Sequence, residues 1–175
     1  MRSLFSFFAR QRSEYSSLYE SVVAAAREED WYRGGRVPDT LDGRFGVLST
    51  LLALTILRLE QGDEEAVHAS VHLTEAFIGD MDAQMREEGF GDPSLGKQVR
   101  SLVGALAARV DRWRPVAKDG ELEAGEALTD AVRFSIYRYD APDEAAETLV
   151  TEKLRRFHDG LGGASDKSIM AGQLA

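Results

Sequence analysis

His68 and His72 stand one helical turn apart with Glu65 and Glu75 on the neighbouring turns, so four nitrogen and oxygen donors could face one metal ion. A di-iron helical bundle, however, needs two Glu-x-x-His pairs and further inward carboxylates. Glu65-x-x-His68 stands alone, and the third histidine, His158, lies near the far end of the chain. The expectation is solvated or partly packed histidines. Gly91 to Lys97 spells G-x-x-x-x-G-K, the pattern of a phosphate-cradling loop, but Gln98 stands where a Ser or Thr must hold magnesium. The stretch also follows an acidic helical pattern rather than a strand, which is the wrong context for nucleotide binding. No cysteine is present, which removes disulfides, thiol nucleophiles and thiolate ligands, and no Ser-His-Asp set stands out. These residues offer no obvious catalytic nucleophile and no convincing metal array, so no catalytic residue, metal or cofactor is expected.

The elements that would position a binding surface are helices. A chain of 175 residues, 43% apolar and 29% charged, suits one globular domain. Its net charge of −9 lacks the basic face that nucleic-acid phosphates require, so no direct DNA binding is expected. Ala, Leu, Glu and Arg dominate and only four prolines occur, which predicts an all-α fold: a single compact bundle of about six helices with mobile N- and C-terminal tails.

The organising stretch is Val37 to Glu60, VPDTLDGRFGVLSTLLALTILRLE. Pro38 ends what precedes it, and Asp39 or Thr40 can cap a helix with Asp42 in capping-box position after Asp39. The large apolar residues from Leu41 to Leu59 cover most of the circumference, which places this helix at the centre of the bundle. Arg44 and Arg58 bracket about 13 residues, too few for the ~20 a bilayer span needs. The first turn is odd. Gly43 and Gly46 each cost roughly 1 kcal/mol against Ala in a helix interior, and Arg44 puts a cation near the positive end of the dipole. Either the helix starts only after Gly46, or the glycines admit a close backbone while Arg44 reaches a carboxylate, with Asp80, Asp82 and Asp92 as candidates.

Around this helix the periodicity predicts others. Leu18, Tyr19, Val22, Val23 and Ala26 form a one-sided helix, followed by a loop in which Trp31 and Tyr32 tuck back. A third helix runs to about Glu88 with Val67, Val71, Thr74, Ile78, Met81 and Met85 inward, widened by Leu73 and Phe77. Gly89 and Gly91 turn the chain, and Asp92 and Pro93 restart it. The fourth helix carries Leu102, Leu106, Val110 and Trp113 on one face and Gly104, Ala105, Ala107 and Ala108 on another, ending near Pro115. Two peripheral helices follow. Residues 1–13 form a basic, aromatic tail in which Phe5, Phe7 and Phe8 lie between Arg2 and Arg10, an arrangement suited to weak contact with an anionic membrane surface. Residues 14–160 form the helical domain, and residues 161–175, rich in Gly, Ser and Ala, are expected to be a disordered tail.

Tyr19 to Glu29 (YESVVAAAREE), Val37 to Phe45 (VPDTLDGRF) and Asp80 to Lys97 (DMDAQMREEGFGDPSLGK) together resemble the ubiquinol-cytochrome c chaperone family over roughly residues 15 to 160. The most specific parts are the Val37 to Thr40 turn with Asp42 to Phe45, and Asp80 to Asp82 with Arg86-Glu87 before Gly89. Downstream, family members tend to carry a Phe-Tyr-Gly-Arg-like stretch where this chain has Gly104 to Arg109, so a client role for that face does not transfer directly. The resemblance implies a non-enzymatic assembly factor that holds newly made cytochrome b for the bc1 complex, with a second assembly factor or the ribosome as further partners. The very short N-terminus suggests a bacterial cytoplasmic member rather than an imported mitochondrial one, expected to touch the inner membrane through Phe5, Phe7 and Phe8. The partner-binding candidates are Asp39, Asp42, Arg44, Asp80, Asp82, Arg86, Asp92, Lys97, Arg100 and Gly104. The residues by themselves leave two other readings open: a bundle binding a lipid, quinone or haem in an apolar cavity, and a histidine-based metalloprotein at His68 and His72.

Overall fold

The computed structural model describes residues 16–87, 89, 92–118, 121–122 and 124–174, with backbone alone at 92–94, 118 and 121. Helix α1 (16–26) leads through a 3₁₀ turn, Glu29–Trp31, to α2 (Leu41–Leu59), α3 (Glu64–Glu87) and α4 (Asp92–Trp113). A two-stranded antiparallel hairpin pairs β1 (Ala117–Lys118) with β2 (Glu121–Leu122), Ala117 opposite Leu122. Helix α5 (Glu126–Val132) runs on into a π-helical turn, Arg133–Tyr137, before α6 (Glu144–Gly163) and α7 (Asp166–Met170). The class is all-α, as the composition predicts.

Helix α2 is the core of the bundle. Thr40, not Asp39, caps it, its hydroxyl accepting the Gly43 N–H at 3.2 Å. Both glycines lie inside the helix, and close approach is what they provide. A Cβ at Gly43 would sit 1.9 Å from the Pro38 carbonyl oxygen, and one at Gly46 would sit 3.1 Å from that of Ser135. The first contact folds the Val37 to Thr40 turn onto its own helix, and the second admits the π turn against α2. From Val47 to Leu59 nearly every side chain is buried, and the buried hydroxyls of Thr50 and Thr55 bond back to the Gly46 and Leu51 carbonyls at 2.7 and 2.8 Å.

Three expectations change. The fifth and sixth helices are not peripheral: Leu128, Val132, Val150, Leu154 and Leu161 are buried in the same core as α2. Helix α3 is rotated from the expected face, burying Ala66, Ala69, Ser70, Leu73, Phe77 and Met81 while Val67 and Val71 point to solvent. In its first half alanines, not valines, occupy the inner side. The segment expected as a loose C-terminal tail is folded through residue 174. Arg58 pairs with Asp166 at 2.8 Å and donates to the Leu161 and Ala164 carbonyls. Asp166 also accepts the Asp63 N–H, Ser165 caps α7, and Ile169 is fully buried. Residues 1–13, with Phe5, Phe7 and Phe8, lie outside the described residues.

Candidate functional site

A groove with a cavity volume of about 1040 Å³ opens between α1, the turn after it, α2, α3 and α4. Its apolar surface comes from Val23 and Ala26 of α1, Leu41, Phe45 and Leu48 of α2, Met81 and Met85 of α3, and Leu102 of α4. Leu41 sits at the mouth and leaves 53% of its surface in water. The two methionines add unbranched, polarizable side chains that can adapt to an occupant. Charges ring the opening in closed pairs: Arg33 with Glu29 at 2.7 Å, Arg44 with Asp39 at 2.7 Å, and Arg138 with Asp42 at 3.0 Å. The Arg44 guanidinium holds the Asp39 carboxyl below the usual carboxylate range.

Several devices hold the walls in place. At the end of α1 the orphan carbonyls of Ala25 and Ala26 accept from Trp31 Nε1 and Tyr32 Oη, both at 2.8 Å, so the aromatic pair caps the helix from its side. Phe45 packs on Phe77 with ring centroids 6.1 Å apart. Beneath Phe45 lies Arg109, only 6% exposed, its guanidinium 5.3 Å from the ring centroid. Arg109 makes no ion pair among the described residues. Its two terminal nitrogens donate to the Ala105 and Ser135 carbonyls at 3.0 and 2.9 Å while the buried Nε has no partner among the described residues, and burial, helped by the like charge of Arg138, pushes its pKa down to about 10. It remains a cation at neutral pH. The π turn that presents the Ser135 carbonyl also sets the Ser135 hydroxyl 2.9 Å from Trp113 Nε1. The chain then leaves through Arg138 and Tyr139, both in left-handed backbone at φ 51° and 66°, which carries Arg138 to Asp42.

The Val37 to Phe45 stretch and the Asp80 to Lys97 stretch, the two most specific parts of the resemblance, meet here, since Asp39, Asp42, Arg44 and Asp80 all line the groove. Arg44 does not pair with Asp80 or Asp82, however. Asp39 lies just ahead of it on the turn, while Asp80 accepts from Tyr19 and Gln84, and Asp82 pairs with Arg86 at 2.9 Å. The pair with Asp39 is solvent-exposed, so Arg44 holds no buried charge. The Asp92 side chain lies outside the described residues. Asp82, Arg86, Lys97, Arg100 and Gly104 do not line the groove. Lys97, Arg100, Gly104 and Ala108 face solvent on α4, and a Cβ at Gly104 would meet nothing within 4 Å. Among the described residues, only Asp39, Asp42, Arg44 and Asp80 of the predicted partner-binding set line the groove; its apolar contributors, such as Leu41 and Met85, and the Tyr19 hydroxyl beside Asp80 were read from the sequence only as packing residues or not at all. Tyr19 carried a signal, since it extends the inner face of α1 with a polar tip, but its partner lies 61 residues away.

His68 is exposed, and His72 contacts Glu75 at 3.0 Å on the surface of α3. Among the described residues no group of three or more His, Asp or Glu side chains gathers in metal-holding geometry, and no histidine lines the groove. No helix among the described residues is long and apolar enough to cross a membrane.

No curated protein sequence matches the chain. A crystal structure described as the Cbp3 homolog from Brucella abortus is similar to it, with 27% sequence identity, a TM-score of 0.77, and coverage of 97% of this chain and 92% of that one. The family described as Ubiquinol-cytochrome C chaperone matches residues 33–175, a span that takes in every groove residue from α2, α3 and α4. The chain therefore belongs to the ubiquinol-cytochrome C chaperone family.

Proposed function

We infer that this protein is a non-enzymatic chaperone in the assembly of ubiquinol-cytochrome c reductase, and that newly made cytochrome b is its client. Family membership supports the chaperone role. For the client, the supporting observation is the groove, an apolar floor opened to water at Leu41 and ringed by paired charges. An open apolar trough suits an amphipathic or apolar helix, which binds by laying one face into it. Paired rim charges keep such a trough soluble without closing it. Lys97 and Arg100, exposed on α4, offer a cationic approach for a second assembly factor or the ribosome, and residues 1–13 offer a contact with the cytoplasmic face of an inner membrane.

The experiment is affinity capture of the protein from cells making cytochrome b, comparing the natural chain with Leu41→Asp and Met85→Asp. Both positions are partly or largely exposed, so the fold tolerates the change while the floor gains a charge. Cytochrome b is expected to be enriched by the natural chain and lost from both variants, with thermal melts unchanged. Equal recovery of cytochrome b by all three would refute the groove as the client site. No enrichment by the natural chain would refute cytochrome b as the client.

A further inference from the structure

Asp80 is a half-buried carboxylate of the groove that makes no ion pair among the described residues, although the Arg27 cation acts on its Tyr19 partner from across the groove. Its Oδ2 accepts from Tyr19 Oη at 2.6 Å and from Gln84 Nε2 at 3.0 Å, both neutral donors, and no cation pairs with it among the described residues. Glu29, Asp39 and Asp42 are each matched to an arginine. A carboxylate drawn from water without a counter-charge is costly, yet this one is held by two side chains from different helices. Burial and the neighbouring Asp80 raise the Tyr19 pKa, which keeps that hydroxyl protonated and donating.

We propose that Asp80 is the docking point for a lysine or arginine at the flank of an apolar helix seated in the groove. This rests on reading the groove as the client site, and names what that site selects. Membrane-spanning helices carry Lys and Arg on their cytoplasmic flanks, so a cytoplasmic chaperone meets them as apolar cylinders with a basic end. A groove of about 1040 Å³ takes about 9 to 17 residues of a helix roughly 10 Å across, depending on how deeply it is embedded. That is part of a span and its flank. Arg27 lines the same groove, exposed and without an ion pair among the described residues, so among those residues one unpaired charge of each sign is present. Asp80 is the fixed one: two hydrogen bonds set its orientation before binding, whereas Arg27 must give up side-chain freedom to engage.

The test uses the full chain and three fluorescent peptides that share one apolar helical core of about 14 residues and differ only at one flanking position, which is Arg, Gln or Glu. Binding is read by anisotropy at low and moderate salt to the natural protein and to Asp80→Asn, which keeps the shape and the hydrogen bonds from Tyr19 and Gln84. The Arg peptide should bind the natural protein about five- to tenfold more tightly than the Gln peptide, and Asp80→Asn should abolish that preference while leaving the Gln peptide unchanged. A folding defect would instead weaken all three peptides together, and the surviving Arg preference would overturn the proposal. Equal binding of Arg and Gln peptides, or tighter binding of the Glu peptide, would overturn it and leave the groove as the client site. If no peptide binds the natural protein, the groove reading falls and the role of Asp80 with it.

Discussion

Replacing Gly43 and Gly104 by alanine should move stability in opposite directions, although both are glycines inside helices. Alanine gains roughly 1 kcal/mol over glycine in a helix interior. At Gly104 nothing lies within 4 Å of the added methyl group, so the variant should keep that gain and be stabilised by about 0.5–1 kcal/mol. At Gly43 the methyl would lie 1.9 Å from the Pro38 carbonyl oxygen, which cannot retreat because it accepts the Thr40 N–H at 2.8 Å in the capping turn. Overpacking costs typically about 1–3 kcal/mol and more where backbone must move, so the net loss should be about 2 kcal/mol. At about 2–4 °C per kcal/mol for a chain of this size, Gly43→Ala should lower the melting temperature by about 4–8 °C and Gly104→Ala should raise it by about 1–4 °C. Circular dichroism at 222 nm during heating, with urea titration as a check, reads both. Gly43→Ala as stable as the natural protein would refute the close turn at the head of α2, and with it the placement of Leu41 at the mouth of the groove.

Truncation after residue 163 removes the buried Ile169 and the Asp166 partner of Arg58. The apolar loss alone is about 1.5–3 kcal/mol, and urea unfolding of the truncated chain should show at least that; an unchanged midpoint would mean the C-terminal segment does not pack. Trp113→Phe keeps the ring in the core but leaves the Ser135 hydroxyl without its indole donor, which should cost about 1–3 kcal/mol in the same assay. His158 is buried, and its pKa is lowered by that burial. The unfolded chain therefore takes up a proton first as pH falls, so stability should decline from about pH 6.5 downward until the folded pKa is passed. His158→Leu should flatten that slope while leaving a separate loss below about pH 4, where Asp143 and Asp166, held below the usual carboxylate range chiefly by the N–H groups of Ala146 and Asp63, become protonated. A natural protein with flat stability between pH 5 and 6.5 would contradict the buried neutral imidazole.

Much of the fold was legible because it is local. Helix α2 announces itself through Thr40, the apolar run from Val47 to Leu59, and the Gln61-Gly62 break, all of which act within a few residues of one another. Where local signals compete, the sequence misdirects: Val67 and Val71 look like an inward face of α3, but Ala66 and Ala69 take the buried positions there, and which face of α3 is covered is set by the neighbouring helices. The C-terminal segment reads as a tail by composition, yet Arg58 fastens it from more than 100 residues away.

The groove divides in the same way. The sequence by itself determined that the turn and helix start from Val37 to Gly46 were unusual, because glycines in a helix and a cation at its positive end are costly wherever they occur, and it determined the helical class, since periodicity and propensity are short-range; the stretch from Asp80 to Lys97 stood out through its resemblance to the family. Only the tertiary structure decided that these stretches face each other across an apolar trough, that Arg44 spends its charge on Asp39, that a π turn lets Ser135 hold Arg109 under Phe45, and that Asp80 accepts from Tyr19 and Gln84 and makes no ion pair among the described residues. The groove, the Ser135–Arg109 contact and the Tyr19–Asp80 bond depend on which side chains meet after distant helices pack, whereas Arg44 finds Asp39 only five residues away, ahead of the more distant carboxylates that its place in the sequence also offered.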